Sequence, residues 1–181
     1  MILLARHGET DWNAAPRRVQ GSLDPPLNAR GREQARALAQ KVAANHEIAA
    51  LWVSNQLRAR ETAAAVGEAI GLEPRVDARL AEASWGRWEG RLVDDIRRDE
   101  AHLLQAFAEG RPGFRFPEGE SLEEHMERTW AALDDIAAGA LPALVVCHGG
   151  TIRCALARSH PDGMPGIGAR RIPNGALIPL P

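Results

Sequence analysis

The amino-acid sequence predicts an α/β fold, a three-layer α/β/α sandwich with a mostly parallel central sheet. Two observations carry that expectation. Apolar runs of strand length recur along the chain and are continuous rather than alternating, the mark of strands buried on both faces. Stretches with helical spacing of apolar residues separate them, so strands alternate with helices. A third observation bounds the size. The chain's 181 residues, 45% apolar and 25% charged, suit one domain over 1–181 with a substantial core. The segment from about 85 to 120 is the candidate for a small cap.

The elements follow in order. Ile2–Ala5 is the first buried strand, and the Pro- and Gly-rich "AAPRRVQGSLDPPLN" after it is irregular. From Asn28 the pattern turns helical, with Ala35, Leu38, Ala39, Val42 and Ala43 on one face. "IAALWVS" (48–54) is a second strand, followed by a helix to about Gly71 with Ala59, Ala63, Val66 and Ile70 inward. A third strand is expected near "PRVDARL", then turns through "AEASWGRWEGR". A polar helical region runs from about Val93 to Glu109, and "RPGFRFPEGE" breaks the chain. Ser121 and Glu124 form an S-x-x-E capping box, opening a helix whose inner stripe is Leu122, Met126, Thr129, Trp130, Leu133 and Ala137. "PALVVC" (142–147) is the most apolar strand, a helix is expected from Thr151, and "RIPNGALIPL" returns to the sheet.

Charge and cysteine usage narrow the function. A formal net charge of −2 gives no field that would gather nucleic acid or acidic lipid. No apolar run reaches the length of a membrane span, and Met1 leads into a strand rather than a basic signal region. Cys147 and Cys154 are poor disulfide partners, so a cytoplasmic setting is expected. Lys41 is the only lysine, and Arg is the better bidentate partner for phosphate.

Ligands of parallel α/β sheets bind beyond the carboxyl ends of the strands. His7, Ser54 and His148 each end or follow a strand, and Arg6 adjoins His7. Arg58 stands in the first turn of the helix after Ser54, where the dipole repels a cation unless an anion offsets it. Two arginines, two histidines and helix-terminal N–H groups around one point make a phosphate pocket. A metal site competes for the histidines but fails on charge, because crowded arginines repel a divalent cation. No metal and no cofactor are expected.

"RHGETDWN", "SNQLRARETA", the L-x-E-x-x-x-G-x-W-E-G of 80–90 and "HGGTIR", in that order, resemble the histidine phosphatase superfamily, the phosphoglycerate mutase-like proteins. The resemblance runs from Leu3 to about Ala157. It implies a phosphoglycerate mutase-like fold and a phosphohistidine mechanism. His7 would attack phosphorus, while Arg6, Arg58 and His148 neutralise its oxygens. Glu82 would protonate the leaving alkoxide and then activate water. Asn13, Gln20, Gly21 and Gly149 match positions that touch the phosphoryl group or the rest of a small phosphorylated metabolite. Mutases of the family carry longer inserts than the 91–120 segment here. That favours a phosphatase, similar to α-ribazole phosphatases and broad-specificity relatives, acting as a monomer or homodimer. The alternatives are mutase-type phosphoryl transfer and a non-catalytic phospholigand-binding module. Cys147 stands where Ser or Thr is usual, and Leu57 is shifted by one from the usual S-x-L.

Other residues have plainer readings. Glu89 competes with Glu82 for the acidic role, but the motif match favours Glu82. His46, His102, His125 and His160 are expected to be solvated or at an edge, and Arg60 a surface residue. Trp85, Trp88, Phe114 and Phe116 are expected to pack, and Arg17–Arg18 to lie in a solvated loop. Cys147–Arg153 fits C-x5-R, the loop of cysteine-based phosphatases, but under that reading Arg6 and His7 would have no role.

Overall fold

The computed structural model describes residues 1–167 and 170–181. Five strands form one sheet in the order β3-β2-β4-β1-β5. They are β1 (Ile2–Arg6), β2 (Ala50–Val53), β3 (Arg75–Val76), β4 (Ala143–Cys147) and β5 (Leu177–Pro179). All neighbours are parallel except β5, which runs antiparallel to β1. Seven α-helices are described: α1 (Ala29–Asn45), α2 (Leu57–Ile70), α3 (Val93–Asp99), α4 (Ala101–Ala108), α5 (Leu122–Ala137), α6 (Gly149–Ala157) and α7 (Met164–Ile167).

The two-residue repeat of a strand explains the layers. Leu3, Ala5, Leu51, Val53, Leu144 and Val146 point to one face, where Leu38 and Val42 of α1 and Ala59, Ala63 and Val66 of α2 cover them. Ile2, Leu4, Ala50, Ala143, Val145 and Cys147 point to the other, against Leu133 and Ile136 of α5 and Ile152 and Ala155 of α6. Both faces are therefore dry, which is why the strands read as unbroken apolar runs.

Caps fix the helix starts. The Asn28 side chain accepts from Gly31 N–H at 2.8 Å, and both halves of the Ser121/Glu124 capping box form. Gly71 ends α2 at φ 71°, a conformation that favours glycine.

Several boundaries differ from expectation. The 93–109 helix is broken at Glu100 (φ −137°), whose carboxylate accepts from Arg87 at 2.6 and 3.1 Å and from Arg91 at 2.6 Å. β3 is only two residues long, α6 begins at Gly149 rather than Thr151, and α7 was not anticipated. The α5 stripe is turned: His125, Ala132 and Ile136 are buried with Leu122, Thr129 and Leu133, whereas Ala137 is exposed and Met126 and Trp130 are half-buried. Ala43 of α1 is likewise exposed. Trp88, Phe114 and Phe116 are buried and meet ring to ring, as packing residues should.

Candidate active site

The parallel register brings distant residues to one rim. Arg6 pairs with Cys147 across β1 and β4, so His7 and His148 leave adjacent strands side by side, ring centroids 5.1 Å apart. The main chain makes room for the turn after His7. A Cβ on Gly8 would stand 2.3 Å from Gly31 O, so only glycine allows α1 to come this close. His7 Nδ1 lies 2.6 Å from Gly8 O. A carbonyl only accepts, so Nδ1 carries the hydrogen and Nε2 keeps a bare lone pair. Burial foremost, then the charges of Arg6 and Arg58, hold this imidazole well below its ordinary range, which leaves it neutral.

His148 is fixed by a relay. Gln56 N–H donates to Ser54 Oγ at 3.2 Å, and Ser54 Oγ lies 2.8 Å from His148 Nε2. The serine oxygen accepts from the backbone, which leaves its own hydroxyl hydrogen to give to Nε2. With Nε2 accepting, the neutral ring carries its one hydrogen on Nδ1. Arg58, 1% exposed, is clamped by Leu23 O (2.8 Å), Gly21 O (3.0 Å) and Gln56 Oε1 (3.2 Å), with Asp24 3.7 Å away. Arg6 donates through Nη1 to Ile172 O at 2.5 Å. Burial lowers Arg6 to about 10, which still leaves a full guanidinium charge at neutral pH.

These ties leave three donors over. Arg6 Nε, Arg58 Nε and His148 Nδ1 are all buried and have no hydrogen-bond partner among the described residues. Buried donors are rarely left so, and an oxyanion would satisfy all three. Arg6, His7 and Arg58 open into a cavity of about 750 Å³ that Asn13, Gln20, Gly21, Glu82 and Gly149 also line.

Glu82 reaches this cavity from the side. Its Oε1 accepts from Ala83 N–H and its Oε2 from Gly150 N–H in the first turn of α6, each at 3.1 Å. Burial pushes the carboxyl up, but His125, the Gly150 N–H, Arg153 and the Ala83 N–H outweigh it and hold Glu82 below the usual carboxylate range. Glu89 is occupied elsewhere, accepting from Ser22 N–H (2.9 Å), Ser22 Oγ (2.7 Å) and Trp85 N–H (2.9 Å). Cys147 faces the core among Val145 and Ile152, and burial pushes its thiol up, away from the reactive thiolate. The C-x5-R reading therefore fails on placement.

The sequence profile described as "Histidine phosphatase superfamily (branch 1)" matches residues 2–180. The chain belongs to this superfamily. Among relatives of this superfamily member, a probable phosphoglycerate mutase GpmB of Yersinia pestis is 40% identical over 174 residues, covering 94% of this chain and 79% of the relative. A mycobacterial glucosyl-3-phosphoglycerate phosphatase, solved with VO3, superposes with TM-score 0.86 at 31% identity, over 97% of this chain and 88% of that one. YhfR of Bacillus stearothermophilus gives TM-score 0.85 at 29% identity, with the same coverages.

In this chain the remaining expected residues serve as walls and struts. Asn13 Oδ1 accepts from Asn174 Nδ2 at 3.1 Å, and Gln20 Oε1 from Thr10 Oγ at 3.0 Å. Gly21 holds Arg58 through its carbonyl. Its φ of 52° and the 2.3 Å between an added Cβ and Glu89 Oε1 exclude a side chain. Gly149 passes close under Arg6, whose Nε would lie 3.5 Å from an added Cβ.

Sequence reasoning missed four contributors. His125, expected at an edge, is 1% exposed, with Nε2 3.2 Å from Thr151 Oγ. The turned α5 stripe brings it inward. Arg153 lines the cavity with its guanidinium 5.1 Å from the Phe107 ring centre. Asn174 also donates to His7 O at 3.0 Å. Gln56, at 6% exposure, bonds to Arg58, Gly21 and the Glu82 backbone. The Arg in "HGGTIR", one helical turn past Gly149, was the available signal for Arg153.

Proposed function

We propose that the protein hydrolyses small phosphomonoesters, without a metal ion, through a phosphohistidine on His7. The observation that carries this reading is the bare Nε2 of His7 beside three unpartnered buried donors. Nε2 forms the N–P bond as the ester P–O bond breaks, and Arg6, Arg58 and His148 receive the charge on the equatorial oxygens. Glu82 gives its proton to the departing alkoxide. In the free protein Glu82 is a carboxylate, and the negative charge of the arriving phosphoryl group raises its proton affinity. A water then attacks phosphorus, Glu82 takes back a proton, the N–P bond breaks, and phosphate leaves.

The cavity far exceeds a phosphoryl group, and Arg17, Arg18, Arg97, Arg170 and Arg171 line it beyond the cluster. Glu82 is the one carboxylate among its lining residues. A substrate bearing a second negative charge fits that surplus. The phosphoglycerate moiety in the names of both the mutase relatives and the mycobacterial phosphatase has this character. The kinship to probable mutases supports a second reading, transfer of the phosphoryl group back to a sugar acid instead of to water.

Phosphate release from p-nitrophenyl phosphate and 3-phosphoglycerate, with and without chelator, tests the proposal. Turnover should persist in chelator and fall by at least about 10³-fold in His7→Ala. Interconversion of 2- and 3-phosphoglycerate without net phosphate release would favour the mutase, and binding without any turnover the non-catalytic module.

A further inference from the structure

Gln56 stands between the two halves of the site. Its side-chain oxygen accepts from Arg58 Nη2 at 3.2 Å and from Glu82 N–H at 2.9 Å, and its nitrogen donates to Gly21 O at 2.9 Å. The partners fix the amide's orientation, because two can only donate and the third only accepts. Gln56 is also the N-cap residue of α2, where Ser, Thr, Asp or Asn would serve the helix best. Its side chain caps nothing in that helix. The amide is instead committed wholly to the site, where it joins a guanidinium of the oxyanion clamp to the peptide that carries the acid.

Resting on the phosphatase reading above, we infer that Gln56 is a positioning residue that couples Arg58 to Glu82. The cation that meets the phosphoryl oxygens and the acid that serves the leaving group are thereby held in one register. Arg58 Nη2 has Gly21 O as its only other partner among the described residues, and the Glu82 peptide N–H has no other acceptor there. Losing the amide loosens both groups at once.

Leaving-group dependence separates positioning from mere folding. p-Nitrophenolate departs without a proton, whereas the alkoxide of glycerol 2-phosphate needs one from Glu82. In Gln56→Met, of similar length but without the amide, kcat/KM should fall about tenfold on p-nitrophenyl phosphate through Arg58. On glycerol 2-phosphate it should fall about a hundredfold or more, because Glu82 is misplaced as well. Equal losses on both esters would mean a structural role only and would overturn the inference. Gln56→Glu guards against a Met variant that does not fold. It keeps an oxygen for the Glu82 N–H, sets a carboxylate against Arg58 and gives up the donor to Gly21 O. The ratio of the two ester activities should then stay within about twofold of the original protein. Vanadate affinity, read from the thermal shift, should weaken about tenfold as the clamp loses net positive charge. Unchanged vanadate affinity in that variant would also overturn the inference. If turnover of the unaltered protein survives His7→Ala, the phosphatase reading falls instead. The vanadate measurement needs no turnover and still tests the Arg58 half of the coupling.

Discussion

At His125 the burial that hides the ring also makes the fold sensitive to acid. The imidazole is held at about 4, below its ordinary 6.5, by burial first, with Glu82 pulling upward and Arg128 downward, and with smaller effects of Glu120 and Arg153. Between those two values the unfolded chain binds a proton that the folded chain refuses, so stability rises with pH across that window. It is complete above about 6.5 and lost as pH falls toward 4, at a cost of about 3 kcal/mol for this residue. His7 and His148 are shifted in the same direction and steepen the loss. Denaturant unfolding at a series of pH values should show this slope, and His125→Leu should reduce it. An unchanged slope would mean that the ring is not buried neutral. The contrast with His7 shows what single residues disclose in the sequence. Arg6, His7 and His148 stand at strand ends, where placement follows from the rule for parallel sheets. His125 sits on a helix, where a small rotation of the apolar stripe decides between solvent and site, and periodicity does not resolve that rotation. Gln56 was hidden for a different reason, since its partners come from three separate segments.

At the scale of elements, local chemistry was the most legible. The Ser121-x-x-Glu124 signature forms as written: Glu124 N–H donates to Ser121 Oγ at 3.1 Å and Ser121 N–H to Glu124 Oε2 at 2.9 Å. Ser121→Ala should therefore cost about 1 kcal/mol in denaturant unfolding. Turnover per folded molecule should not change, because the residue lies outside the cavity lining. A loss of activity without a loss of stability would contradict that separation. Where tertiary contacts overrule local pattern, the helical repeat does not mark the boundary. The break at Glu100 depends on two arginines from the preceding turn region, which no helical repeat announces. β3 ends after two residues because the chain then turns into a 3-10 segment at Ala78–Leu80, placing Glu82 under α6.

For the whole molecule, the alternation of side chains across β1, β2 and β4 does two things at once. It buries both sheet faces and delivers His7, Ser54 and His148 to one edge, so the stability of the core and the geometry of the site share a cause. The layers and the convergence of cations were legible because parallel strands impose them. The extent of the cavity, with arginines drawn from the 17–18 loop, α3 and the 170–171 segment, depends on how loops fold over the rim. The central claim is that the lone pair of His7 Nε2 takes up phosphorus. Mass spectrometry of protein quenched in alkali during turnover of p-nitrophenyl phosphate tests it most directly. A phosphoryl group should appear on the peptide containing His7 and be lost on brief acid treatment. Turnover with His7 unmodified and the phosphoryl group on Cys147 or another residue would contradict it.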